Sequence, residues 1–186
     1  MRKTFYSSDH HLGHERALTQ YERPFGSVEE MNETLLRNWN ETVGDNVGYV
    51  VGDLCAHSLG ERETRRFFER MSGEKHLIIG NHDEINGYVL ELPWASVNHV
   101  LTIRDGDADV FLSHYAHVTW PHARFGSYHL YGHTHGELPG TRRSLDVSVD
   151  ATGFKPVTLD QAKAMMAAMP AWPAQPRRWA EADAGP

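Results

Sequence analysis

Five short apolar runs in this chain each lead into a block of aspartate, histidine or asparagine, and that repetition constrains the fold more than any other feature. The blocks are Asp9-His10-His11, Gly52-Asp53, Gly80-Asn81-His82-Asp83, His114 and Gly132-His133-Thr134-His135. The runs before them, Lys3 to Ser8, Asn46 to Val51, Lys75 to Ile79, Ala108 to Leu112 and Tyr128 to Tyr131, have the length of strands. Strands with polar residues at their carboxyl ends describe an α/β protein, which gathers its ligands at that edge of the sheet. Imidazole, carboxylate and amide donors without thiolates suit a hydrolytic two-metal centre better than a structural zinc clamp.

The segments between the runs read as helices and hairpins. Ser27 and Glu30 have capping-box spacing, and Val28, Met31, Leu35, Trp39 and Val43 then recur on one helical face up to Gly44. Glu61 to Met71 predicts a second helix, which completes a strand, helix, strand unit. Val97 to Ile103 and Ala108 to Leu112 flank the turn signal Asp105-Gly106, and Leu145, Val147 and Val149 alternate with polar residues, so a second sheet is expected. Thr158 to Met169 predicts a last helix, stopped by Pro170, and residues 170–186 form an Ala/Pro-rich tail expected to pack weakly.

At 186 residues the chain has the size of one domain, and 40% hydrophobic with 23% charged residues excludes wholesale disorder. It shows no secretory signal and no membrane-length apolar run. A lone Cys55 excludes an internal disulfide and fits a cytoplasmic, reducing location, with the thiol expected to be buried near the site. A formal charge of −7 argues against an extended nucleic-acid surface. Thirteen histidines are the compositional outlier, and only their spacing separates ligands from surface groups.

Taken singly, the blocks are ambiguous. Asp9 and His11 at i and i+2 of an extended segment reach one side together, yet an aspartate before a turn more often caps backbone. Gly80-Asn81-His82-Asp83 offers three donor types in succession, and its bland alternative is a tight turn. His133 and His135 can serve two adjacent metals or simply face solvent. His10, at the intervening position, is expected to point away, and His57 and His117 read as surface histidines.

In order, the blocks D-x-H, G-D, G-N-H-D, H and G-H-x-H resemble the calcineurin-like metallophosphoesterase superfamily, and Arg23-Pro24-Phe25 and Asn38-Trp39-Asn40 resemble its small bacterial and phage predicted-phosphoesterase subgroup. The resemblance implies an α/β fold, a two-sheet β-sandwich flanked by helices, as one domain over 1–169. It implies that Asp9, His11 and His135 hold a first divalent metal, that Asn81, His114 and His133 hold a second, and that Asp53 bridges them. His82 would be the acid facing the substrate, oriented by Asp83 through its other ring nitrogen. Mn²⁺ is the favoured metal, with Fe²⁺, Zn²⁺, Ni²⁺ and Co²⁺ as alternatives. His14 and Arg23, in the loops leaving the first block, are the expected contacts to substrate.

The expected function is hydrolysis of a small phosphoester, a phosphodiester or cyclic nucleotide being favoured, by metal-activated hydroxide with His82 as general acid. A phosphomonoesterase on a small metabolite or nucleotide is the nearest alternative. A non-catalytic metal-binding scaffold is the second, although such proteins usually show eroded ligands and none is eroded here.

Overall fold

The computed structural model describes residues 2–171. In chain order the elements are β1 (Thr4–Ser7), α1 (Ala17–Gln20), α2 (Val28–Val43), β2 (Val47–Val50), α3 (Glu61–Arg70), β3 (Glu74–Ile78), α4 (Asn81–Ile85), α5 (Gly87–Leu90), β4 (Ser96–Asn98), β5 (Val100–Asp105), β6 (Ala108–Ser113), β7 (Tyr128–Tyr131), β8 (Ser144–Asp146), β9 (Val157–Thr158) and α6 (Leu159–Met166). One sheet has the order β4-β3-β2-β1-β9 and the other β5-β6-β7-β8. The first is parallel except for β9, and the second is parallel except for β5. The architecture is the expected α/β one, two sheets flanked by helices.

Strands β1 and β2 and the end of β3 are buried on both faces, which is why they read as continuous apolar runs. Phe5, Val50 and Leu77 join Met31, Leu35, Trp39 and Val43 of α2 in one core. Their neighbours Tyr6, Tyr49, Val51 and Ile78 point the other way, onto Val110, Leu112, Leu130 and Leu145 of the second sheet. Trp39 lies over Gly48, where any Cβ would run into the indole, and its Nε1 donates to Ser72 O at 3.0 Å. Helix α2 begins where expected, since Ser27 Oγ accepts from Glu30 N at 3.2 Å; the Glu30 carboxylate instead takes Gly26 N at 2.7 Å. His10 turns into this core, edge-on to Trp39, and Cys55 is buried and free.

Two expectations change. Val97 to Ile103 is not one strand: β4 adds to the first sheet beside β3, and β5 starts the second sheet after His99. Both halves have strand composition, so periodicity cannot reveal that the chain changes sheets there. The alternation after Leu145 likewise outlasts β8. Val147 N donates to Tyr131 O at 2.8 Å, Val147 O accepts from Ser8 N at 3.0 Å, and Val149 N donates to Ser8 O at 3.0 Å. This segment stitches the two sheets together where their polar blocks emerge. Helix α6 ends at Met166, and the expected tail lies outside the described residues except for Pro170 and Ala171. No helix among the described residues is long and apolar enough to cross a membrane.

Candidate metal centre

Topology brings the five blocks together because β1, β2, β3, β6 and β7 all end at the same edge of the two sheets. The turns that follow are tight and strained. Among the described residues, eight non-glycine residues have positive φ, and five of them are Asp9, His11, Asp53, His133 and His135. Left-handed backbone costs such residues of order 1–3 kcal/mol each and persists where surrounding structure over-determines it, most often at functional sites. The glycines before the ligands are needed for close approach. A Cβ on Gly52 would enter the His114 imidazole, one on Gly80 the Asp53 carboxylate, and one on Gly132 the Asp9 carboxylate.

The side chains converge with lone pairs facing one another. His114 Nδ1 is 2.9 Å from Val51 O, which fixes the proton there and turns an unprotonated Nε2 toward Asn81 Oδ1 at 3.1 Å and Asp53 Oδ2 at 3.6 Å. His11 Nε2 lies 3.8 Å from Asp53 Oδ2 and 4.0 Å from Asp9 Oδ1, and His135 Nε2 lies 3.7 Å from Asp9 Oδ1. Asp9 Oδ1 and both ring nitrogens of His11 are buried with no hydrogen-bond partner. Ligand atoms of Asp9, His11 and His135 lie within 4.8 Å of one another, as do those of Asp9, Asp53 and His114. Buried donors and carboxylates left without protein partners are what divalent cations satisfy, so this residue set fits the two expected metals. His133 stands at the exposed rim, its ring 5.2 Å from that of His114 and its backbone N–H on Asp9 Oδ2 at 2.9 Å.

Burial dominates the electrostatics. It raises the Asp9 carboxyl well above the ordinary range and the Asp53 carboxyl to about 8, with the charge of Asp83 adding to the latter. It lowers His114 to about 4 and His11 well below the usual imidazole value. The imidazoles are thus neutral and able to ligate, and bound dications would return both carboxylates to their charged form.

Two expected roles are corrected. Asp83 does not orient His82. Its carboxylate accepts Asp53 N at 2.8 Å, Leu54 N at 3.0 Å and Gly80 N at 2.9 Å, while His82 Nδ1 is buried without a partner. Arg23 does not face substrate. It is buried, and its guanidinium forks onto Asp150 (Nε to Oδ1 and Nη2 to Oδ2, both 2.8 Å) and donates to Asp9 O at 2.7 Å and His10 O at 2.9 Å.

Asp150 was missed from sequence. It accepts His135 Nδ1 at 2.7 Å, which turns Nε2 of that ring toward Asp9. Its signal was present, because Val147 to Asp150 is one more apolar alternation ending in an acid. Asp146 also escaped notice; it holds the His133 turn by accepting Thr134 Oγ1 at 2.6 Å and Gly136 N at 2.8 Å. Tyr21 stacks on His135 with ring centroids 3.4 Å apart. His14 remains at the site with an unpartnered, buried Nδ1, and the exposed His57 brings its ring 5.0 Å from that of His82.

Two packed sheets with this donor set at their common edge define a protein of the metallophosphoesterase fold. No family model matches the chain. It is 33% identical over 168 residues to the uncharacterized protein MJ1445 of Methanocaldococcus jannaschii, covering 86% of this chain and 89% of that one. It is 31% identical over 185 residues to the gene 66 protein of Mycobacterium phage L5, covering 82% and 89%. The structure of AQ665, a protein of unknown function from Aquifex aeolicus, shares the fold with a TM-score of 0.68 at 18% identity, over 89% of this chain and 100% of that one. The chain belongs to one family with these two relatives, and its likeness to AQ665 is one of fold.

Proposed function

We propose that the protein is a two-metal phosphoesterase that hydrolyses a phosphodiester. The observation that carries this reading is the convergence of His114 Nε2, Asn81 Oδ1, Asp53 Oδ2, His11 Nε2, Asp9 Oδ1 and His135 Nε2, lone pair to lone pair, at one sheet edge. Asp9, His11 and His135 would hold one cation, Asn81, His114 and His133 the other, and Asp53 would lie between them. Bound there, divalent cations such as Mn²⁺ supply neutralisation of phosphate oxygens and a water nucleophile at neutral pH.

The chain's own residues then divide the remaining work. His82 has its ring 4.5 Å from that of His11 and its Nδ1 buried, which leaves Nε2 as the atom that would donate to the leaving-group oxygen. His14, with ligand atoms of His11 and His82 within 4.8 Å, positions the phosphate beside it. Arg23 and Asp150 lock the ligand turn, and Asp83 locks the turns that carry Asp53 and Asn81.

The test is metal analysis joined to rates on bis(p-nitrophenyl) phosphate and p-nitrophenyl phosphate with Mn²⁺. Two metals per chain and faster diester hydrolysis are expected. A monoester rate equal to or above the diester rate would show a phosphomonoesterase, and full metal loading without hydrolysis of a broad panel would show a scaffold.

A further inference from the structure

Among the cavities that border the rim of the metal centre, two lie apart from each other. The first, about 570 Å³, opens on His133 and His135 and is walled by Gln20, Tyr21, Glu137 and Leu138. The second, about 390 Å³, opens on His57 and is walled by Ile85, Tyr88 and Glu91. They share no lining residue, and both have the size of pockets that enclose small organic groups. His57 ties the second to the centre through its edge contact with His82, the residue placed at the leaving group.

The two cavities have the same chemistry. Each pairs a tyrosine and a branched aliphatic side chain with one glutamate: Tyr21, Leu138 and Glu137 in the first, Tyr88, Ile85 and Glu91 in the second. Ile85 is 69% exposed, Tyr88 44% and Leu138 46%, so apolar surface stands open for a ring to cover. A carboxylate accepts hydrogen bonds from hydroxyl and amino groups and repels a second phosphate. A monoester would leave one cavity empty, and a substrate with a terminal phosphate would place that charge beside a glutamate.

Resting on the phosphodiesterase reading above, we propose that the substrate is a diester with a single phosphate joining two uncharged, ring-bearing alcohols, the chemistry of a dinucleoside monophosphate. One alcohol occupies the Tyr21–Glu137 cavity, and the leaving alcohol occupies the Tyr88–Glu91 cavity.

The Mn²⁺-loaded full chain would be assayed on a dinucleoside monophosphate and on the same compound with a phosphate added at its 5′ or its 3′ end. Each added phosphate is expected to lower kcat/KM at least tenfold. Glu91→Lys should remove the penalty at one end and Glu137→Lys at the other, and Tyr88→Ala should raise KM at least fivefold. Equal or better turnover of the phosphorylated compounds, or penalties untouched by both lysine variants, overturns the proposal. Calorimetric binding of the three compounds to metal-loaded His82→Asn separates the two levels. Binding in the same rank order without any wild-type cleavage sinks the phosphodiesterase reading alone, whereas no binding of the dinucleoside monophosphate sinks this one.

Discussion

Asp83 holds the backbone of Asp53: its carboxylate accepts the Asp53 N–H at 2.8 Å and, with it, those of Leu54 and Gly80. One buried side chain thereby joins the turn after β2 to the turn after β3. Asp83→Ala strands three buried N–H groups at ~1–3 kcal/mol each, so a loss of at least about 3 kcal/mol and roughly 10 °C in Tm is expected. Denaturant unfolding checks it. A variant that kept its stability and lost only turnover would restore the role of orienting His82.

Asp150, held by Arg23, accepts the Nδ1 proton of His135, so both are expected to act on metal affinity. Removing the partner of a ligating histidine typically costs 10–100-fold in affinity. Arg23→Ala and Asp150→Ala are therefore expected to weaken metal binding by that factor in calorimetric titration, and Arg23→Lys, which cannot fork onto the carboxylate, to recover only part of it. A rise in KM with metal affinity intact would instead mark Arg23 as a substrate contact.

His82→Asn is expected to retain both metals while kcat falls by ~10²–10⁴ on substrates with poor leaving groups. Loss of metal from this variant, seen by elemental analysis, would place His82 among the ligands.

Gly52→Ala puts a methyl group into the His114 ring at a φ of +94°. The expected result is a folded chain with reduced metal content, because His114 must leave its bond to Val51 O. Unaltered metal content would show that the strand end can yield.

Acid should destabilise the fold through buried histidines away from the metal-facing side. Burial lowers His129 to about 4, where its Nε2 accepts the His117 N–H at 3.1 Å, and lowers His10 to about 3. Because both folded values lie below the unfolded one, near 6.5, the unfolded chain takes up protons first. Their contribution is complete above about pH 6.5 and is lost as pH falls toward 4 and then 3. For His129 the loss is on the order of 3 kcal/mol. His129→Gln should flatten the acid limb of a stability-versus-pH curve between about pH 6.5 and 4; an unchanged slope would assign that limb elsewhere.

The sequence by itself determined the five strands that lead into the polar blocks, the helix from Val28 and the blocks themselves, since each rests on local chemistry: an apolar run, a cap, a glycine, then donors. Residues whose roles depend on distant partners were decided only by the tertiary structure. Arg23 reads as a substrate contact until folding sets it against Asp150, 127 residues away, and Asp83 reads as the partner that orients His82 until α4 turns it back onto Asp53. His99 conceals the change of sheet because strand composition is the same on both sides. Spacing reports what a side chain can reach within its own turn, and only packing decides what lies across the gap.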